Sequence, residues 1–371
     1  MKQLTSRERL TRLFNNQEID RIPIWLLFPY HRYGSYVDVY NLPCYKRITD
    51  CIDKYCDTFD RRSYDTGFCY NANPEIKSAW INRKDGANTC SEYVVMYQDL
   101  KFNKYTSTGP EGTKIKYLVE DASDLEKILN IPYTAPEPDF SSYFREKEEL
   151  GDRGLMMINL TDPLGPLYSI MSASEFSIST ITDYDRLIAF TDEMNERVMS
   201  YTRYLLENDI GEVFFIIGAE FAGPPLVSPT KFNELSARYV KGLVDLIRDY
   251  GKKSIVHYHG NLFNVLDGMK YMNPDGLHTI EAPPIGDCTA QQARNVLGDM
   301  ILIGNIQYDD LAHCNPDQIR ELVRIFINGG SRGRMILSPT AGPYESRISE
   351  KMIENYLAMV KAGIKFGKYG D

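Results

Sequence analysis

The sequence predicts an α/β fold, a (β/α)8 TIM barrel with an antiparallel β excursion in its N-terminal third. Three observations carry this reading. Short runs rich in β-branched and aromatic residues recur through the second half with helical patterns between them, which means parallel strands joined by helical crossovers. The GxGxxG and Walker patterns that often mark nucleotide sites in open doubly wound sheets are missing, so a closed barrel is favoured over an open sheet. A length of 371 residues suits one α/β barrel, and residues 1–371 are taken as a single domain.

The elements follow in order. Thr5 and Glu8 have the spacing of a capping box, opening an N-terminal helix that leads to IPIWLLF (22–28) as the first strand. Residues from about 70 to 120 alternate aromatic and polar side chains around Gly-containing turns and form the antiparallel excursion. Six strands are then expected at 154–162, 211–220, 254–260, 276–284, 300–307 and 334–342. Between the second and third, Ser228 caps and Pro229 opens a helix. Phe232, Leu235, Tyr239, Leu243 and Leu246 line one of its faces, and Gly251 ends it. Asn315, Pro316 and Gly329 repeat that logic.

Composition excludes several classes. The net charge of −9, from 51 acidic and 42 basic residues, is spread along the chain, so nucleic acid and anionic membrane are poor partners. No apolar run reaches a membrane span, and MKQLTSRERLTRLF lacks the apolar core of a secretory signal. A cytoplasmic protein is expected. The seven cysteines (Cys44, Cys51, Cys56, Cys69, Cys90, Cys288 and Cys314) include no CxxC pair and read as packed or surface thiols in a reduced chain.

Catalysis in such a barrel belongs at the carboxyl ends of the strands, and each late strand ends in a polar group. These are Asp162, Glu220, His257 with His259, Glu281, Asn305 and Thr340. Taken singly, each reads first as a turn former or helix cap. The pair HYH is stronger evidence in a chain with five histidines, because residues i and i+2 of a strand share a face. With Glu220 and Glu281 on the flanking strands, His257 and His259 make a set suited to Zn²⁺ or a similar divalent ion. The alternative is that one histidine bonds a backbone carbonyl and the other caps a turn. His278 lies three residues before Glu281, hence on the opposite strand face, and is expected behind the ligands. His31 and His313 lie away from the set, although His31 follows the first strand.

Several segments resemble the uroporphyrinogen decarboxylase superfamily, which includes cobalamin-dependent methyltransferases. SRERLTRLFNNQEIDRIPIW (6–25) is similar to its opening helix and first strand. GNLFNVLDGMKYMNPDGLHTIEAPPIGD with MILIGNIQ resembles the block before its "GN" strand end, and GRMILSPTAGP with SEKMIENYLAMVKAG and the terminal KYG resembles its last strand and helix. The decarboxylase carries two arginines in an MRQAGRY-like segment. In the matching LFPYHRY (27–33), Arg32 takes the second place and Phe28 the first, which removes a strong charge-assisted contact to a poly-carboxylate substrate. Zinc-dependent members that methylate a thiol carry an HxC motif and a later Cys. Here His257 matches, His259 replaces the Cys, and Ala341 stands in SPTAG (338–342) at the later position.

The exchange of sulfur for imidazole leaves a harder Lewis acid, suited to polarising oxygen. The resemblance therefore implies the demethylating half of such systems. In it a methyl group moves from a small methylated compound, such as a methoxylated aromatic, to the corrinoid of a partner protein. Expected metal ligands are His257, His259 and Glu281, with Glu220 as fourth ligand or proton donor. Asp162 is a further catalytic candidate, and Tyr30, Arg32, Asn305 and Thr340 are expected to contact substrate. Two alternatives stay open: a decarboxylase of the tetrapyrrole type, and a non-catalytic barrel that binds a small molecule. A homodimer is compatible with the sequence, which marks no interface residue.

Overall fold

The computed structural model describes residues 3–331 and 333–369. Its strands are β1 (Thr58–Arg62), β2 (Lys77–Asp85), β3 (Asn88–Tyr97), β4 (Leu100–Gly109), β5 (Gly112–Lys116), β6 (Gly154–Thr161), β7 (Val213–Ile217), β8 (Lys253–His257), β9 (Gly276–His278), β10 (Ile301–Ile306) and β11 (Met335–Pro339). A curled parallel sheet runs β1-β6-β7-β8-β9-β10-β11, and β2 to β5 form a separate antiparallel sheet. The expected excursion is thus present, while the parallel sheet has seven strands and is not a closed eight-stranded barrel.

The difference lies at IPIWLLF. Residues 22–28 occupy the seam between β11 and β1 but make only an isolated parallel bridge, Ile24 to Leu337. The Asp57 amide donates to the Ile24 carbonyl at 2.7 Å, and the Trp25 amide to the Leu337 carbonyl at 2.8 Å. Pro23 has no amide to give a ladder, and Leu27 sits at φ +65°, outside strand geometry. The first regular strand is instead TFDRR, whose three charged residues hid it from a search for apolar runs.

Alternation along the strands divides the core. Trp25, Phe59, Met157, Phe215, Ile255, Ile303 and Ile336 fill the inside of the curled sheet. Ile158, Phe214, Val256, Leu277, Leu302 and Leu337 face the surrounding helices. Trp25 stands edge-on to Phe59 and Phe215, with centroids 4.9 and 5.9 Å apart, and floors the space above. Among the helices, the Thr5–Glu8 capping box forms as expected. Ser228 caps a helix opened by Pro229, and Asn315 caps the one opened by Pro316. No helix among the described residues is long and apolar enough to cross a membrane.

Candidate functional site

The inward-facing residues at the carboxyl ends of the parallel strands surround a cavity of about 480 Å³, walled in part by Arg61, Tyr168, Phe215, Glu220, His257 and His259. Each reaches it by local geometry. His257 is the last residue of β8, and His259 lies just beyond the strand, with the two rings perpendicular at 4.5 Å between centroids. Glu220 sits in a short helical turn, Ala219–Ala222, entered through Gly218 at φ +109°, a conformation that favours glycine. Tyr168 stacks on Phe221 at 3.9 Å and forms an aromatic wall.

Hydrogen bonding orients both imidazoles. His278 stands opposite His257 in the β8–β9 register. Its Nε2 is 3.1 Å from the Pro339 carbonyl and its Nδ1 is 2.8 Å from His257 Nδ1. A carbonyl can only accept, so His278 donates from Nε2 and, when neutral, accepts at Nδ1. His257 must then donate from Nδ1, which leaves its Nε2 lone pair free. Burial, followed by the nearby His278, His259 and Arg61, pushes His257 well below its ordinary value. Burial likewise lowers His278 to about 3, against the pull of the Pro339 carbonyl.

His259 Nδ1 lies 3.0 Å from Glu281 Oε1, a carboxylate that accepts, so its Nε2 is likewise left free for other partners. Glu281 overcomes burial and holds the His259 imidazole above its usual value. The second oxygen of Glu281 takes the Gly260 amide at 2.6 Å. Glu281 therefore stands behind His259 and does not line the cavity. Glu220 Oε2 and Tyr168 Oη, both on the cavity wall, are buried without a hydrogen-bond partner. Burial raises the Glu220 carboxyl, while the His259 ring works in the opposite direction.

The donor types fit a divalent ion: the free Nε2 lone pair of His257, the His259 Nε2 that becomes a ligand on losing its proton, an unpartnered buried carboxylate oxygen, and a carboxylate fixing one ring from behind. Among the described residues, no three such side chains already converge on one point.

The other expected contacts divide. Thr340 lines the cavity, and its hydroxyl donates to Gln307 Oε1 at 3.0 Å. Asn305, the residue before the end of β10, is half-buried but is not on the cavity wall. Asp162 is buried behind the wall, where one oxygen takes the Leu164 amide at 2.8 Å and the other the Ser236 hydroxyl. Arg32 is exposed, and Tyr30 faces a separate groove beside Tyr40 and Arg153. From the same segment it is Tyr33 and Tyr36 that reach the cavity. His278 supports the His257 ring but does not turn to the opposite face, since it too lines the cavity: β9 ends at His278 and Ile280 turns at φ +56°, so strand alternation does not extend to Glu281. His31 is held between Asp60 and Glu149 at 2.6 and 3.0 Å, outside the cavity wall.

Sequence reasoning missed Arg61, Asn159 and Tyr168. Arg61 lay in the unrecognised β1, Asn159 was hidden within the apolar run MMINLT, and Tyr168 lies in a short helix with no motif.

A family model for uroporphyrinogen decarboxylase (URO-D) matches residues 107–363. Among solved structures, the chain is similar in fold to a methyltransferase from Methanosarcina mazei, with 18% identity and a TM-score of 0.62 over 98% of this chain and 99% of that one. A more distant likeness, to an L-ribulose 3-epimerase, has 14% identity and a TM-score of 0.39 over 67% of this chain and 93% of that one. No curated protein matches the chain by sequence.

Proposed function

The chain belongs to the uroporphyrinogen decarboxylase family, and from that premise we propose that it is a metal-dependent methyltransferase. It takes a methyl group from a small methylated substrate, a methoxylated aromatic above all, and passes it to the corrinoid of a partner protein. The observation that carries the reading is the pair of unpartnered polar atoms, Glu220 Oε2 and Tyr168 Oη, on the same cavity wall as two imidazoles. Buried polar atoms without partners cost stability, and a ligand that supplies partners compensates them. A cavity of about 480 Å³ suits one substituted ring better than a four-ring tetrapyrrole. The exposed position of Arg32 weakens the decarboxylase reading further.

In this reading His257, His259 and Glu220 hold Zn²⁺ or a similar divalent ion, and Glu281 keeps the His259 ring in place. When bound, the ion supplies Lewis acidity to the oxygen that loses its methyl group. Tyr168, whose hydroxyl burial keeps protonated, donates a hydrogen bond to that oxygen as it gains charge. Phe215, Phe221 and the Tyr168 ring bind the apolar face of the substrate and exclude water. The likeness to the Methanosarcina mazei methyltransferase is in keeping with this chemistry.

Two measurements on purified protein test the proposal. Metal analysis without chelator should find a divalent ion in the parent and little in His257→Ala or His259→Ala. Incubation with cob(I)alamin and a panel of methoxylated aromatics should give the methylcobalamin spectrum. A parent that binds no divalent ion and methylates no cobalamin would exclude the reading.

A further inference from the structure

Three arginines among the described residues are buried: Arg9, Arg61 and Arg197. Arg9 is paired with Asp20 and Asp57, each at 2.6 Å, and Arg197 with Glu193 at 2.7 Å. Arg61 differs. Its Nε and one terminal nitrogen donate to Asn159 Oδ1 at 3.1 and 2.9 Å, and the other terminal nitrogen donates to Tyr36 Oη at 2.5 Å. All of these acceptors are neutral. The guanidinium also stands over the rings of Tyr33, Tyr36 and Phe215, 5.2, 5.3 and 4.7 Å from their centroids. Its neighbour Asp60 points away, to His31 and Arg62. Glu220, the acidic side chain on the cavity wall, makes no ion pair with it.

A buried cation is costly unless an anion or a full set of hydrogen bonds compensates it. Ring faces and neutral acceptors compensate Arg61 only in part. A guanidinium has five N–H donors in a planar fork, and the bonds to Asn159 and Tyr36 leave two of them for a ligand. Arg61 lines the cavity and is 6% exposed. Phe215 lies beneath it and also beside His257, 5.1 Å between ring centroids. An anion held at Arg61 therefore sets the far end of a substituted benzene ring toward the imidazoles.

We infer that Arg61 is an anion receptor, and that the molecule bound in this cavity carries a carboxylate at the end facing β1. The inference rests on the reading of the cavity as the site of methyl transfer and narrows its substrate to methoxylated aromatic acids. Asn159 and Tyr36 act as positioning residues that hold the fork open toward the cavity.

The test is calorimetric titration of the intact protein with 4-methoxybenzoate and with 4-methoxybenzamide, which keeps the shape and removes the charge. The carboxylate should bind about 10- to 100-fold more tightly, as expected for a charge-assisted contact. Arg61→Gln should abolish that preference while retaining amide binding. Should this variant not fold, the comparison of the two ligands on the parent decides alone. Equal affinities in the parent, a carboxylate preference surviving in Arg61→Gln, or no binding of either ligand overturns the inference. 4-Hydroxybenzoate, which has no methyl group to give, should show the same preference over 4-hydroxybenzamide, so the result does not depend on turnover. Carboxylate selectivity without methylcobalamin formation leaves the role of Arg61 standing and removes the methyltransferase reading. Methyl transfer from neutral methoxyarenes without such selectivity does the reverse.

Discussion

His257 and His278 meet Nδ1 to Nδ1 at 2.8 Å across β8 and β9, and the Pro339 carbonyl beyond His278 fixes which ring donates. The relay turns the unprotonated Nε2 of His257 into a ready ligand. His278 thus controls the tautomer of His257 without itself lining up as a donor to the ion.

Replacing His278 by Phe removes the acceptor that holds the proton on His257 Nδ1. Loss of such a supporting partner typically weakens metal affinity about 10- to 100-fold. The measurement is a competitive zinc titration of His278→Phe against the parent. Unchanged affinity, in a variant whose melting temperature shows it folded, would remove His278 from this role.

Tyr168 offers a separation of stability from function. Its hydroxyl is buried and unpartnered, so Tyr168→Phe removes an uncompensated polar group and should leave stability unchanged or raise it by about 1 kcal/mol. Loss of the hydrogen bond to the departing oxygen should slow methyl transfer by about 10- to 1000-fold. Urea unfolding and single-turnover formation of methylcobalamin give the two numbers. A destabilised variant with an unchanged rate would reverse the assignment.

Much of this site was legible because parallel strands put their carboxyl ends together, so polar residues ending apolar runs could be named before the fold was known. His257, His259, Glu220 and Thr340 reach the cavity for that reason. The reasoning lost its hold where regular alternation ends. Glu281 lies three residues beyond β9, past the positive φ of Ile280, and its direction follows from the loop. Asp162, also just past its strand, folds back to cap the next turn through the Leu164 amide. β1 failed as a sequence signal for another reason. Its Asp60 and Arg62 pair with each other and are held further by His31 and Glu146, contacts that no local pattern announces. Arg61 went with it, and Arg32, chosen by motif, proved exposed.

Arg9 ties the N-terminal helix to the seam. It bonds Asp20 and Asp57, while the other oxygen of Asp57 takes Arg21 at 2.8 Å and the Ile24 amide at 2.9 Å. Arg9→Leu leaves a fully buried carboxylate with one of its two cations. Removing one partner of a buried pair costs about 3–5 kcal/mol. Urea denaturation should show a loss of that order, and a loss below about 1 kcal/mol would mean that Arg21 alone satisfies Asp57.

Asp162 gives the chain a pH dependence opposite to that of an ordinary salt-bridged acid. Burial raises its pKa from 3.8 to about 7, against the Ser236 hydroxyl and the Leu164 amide that bond its charged form. A folded pKa above the unfolded one means that the unfolded chain releases this proton first. The stability contributed by the neutral acid is therefore complete below about pH 4 and is lost as pH rises through 7. A shift of this size corresponds to a loss on the order of 4 kcal/mol at most. Asp162→Asn keeps a neutral group whose Oδ1 can accept from the Leu164 amide and whose Nδ2 can donate to the Ser236 hydroxyl oxygen. It should therefore gain on the parent steadily between pH 4 and 7.5, and the gap should level off above that. Unfolding free energies of both proteins across that range decide the matter, because titrations common to the two cancel in the difference. A gap that does not change with pH would mean that Asp162 is already ionised in the folded chain at pH 4, held there by its two hydrogen bonds.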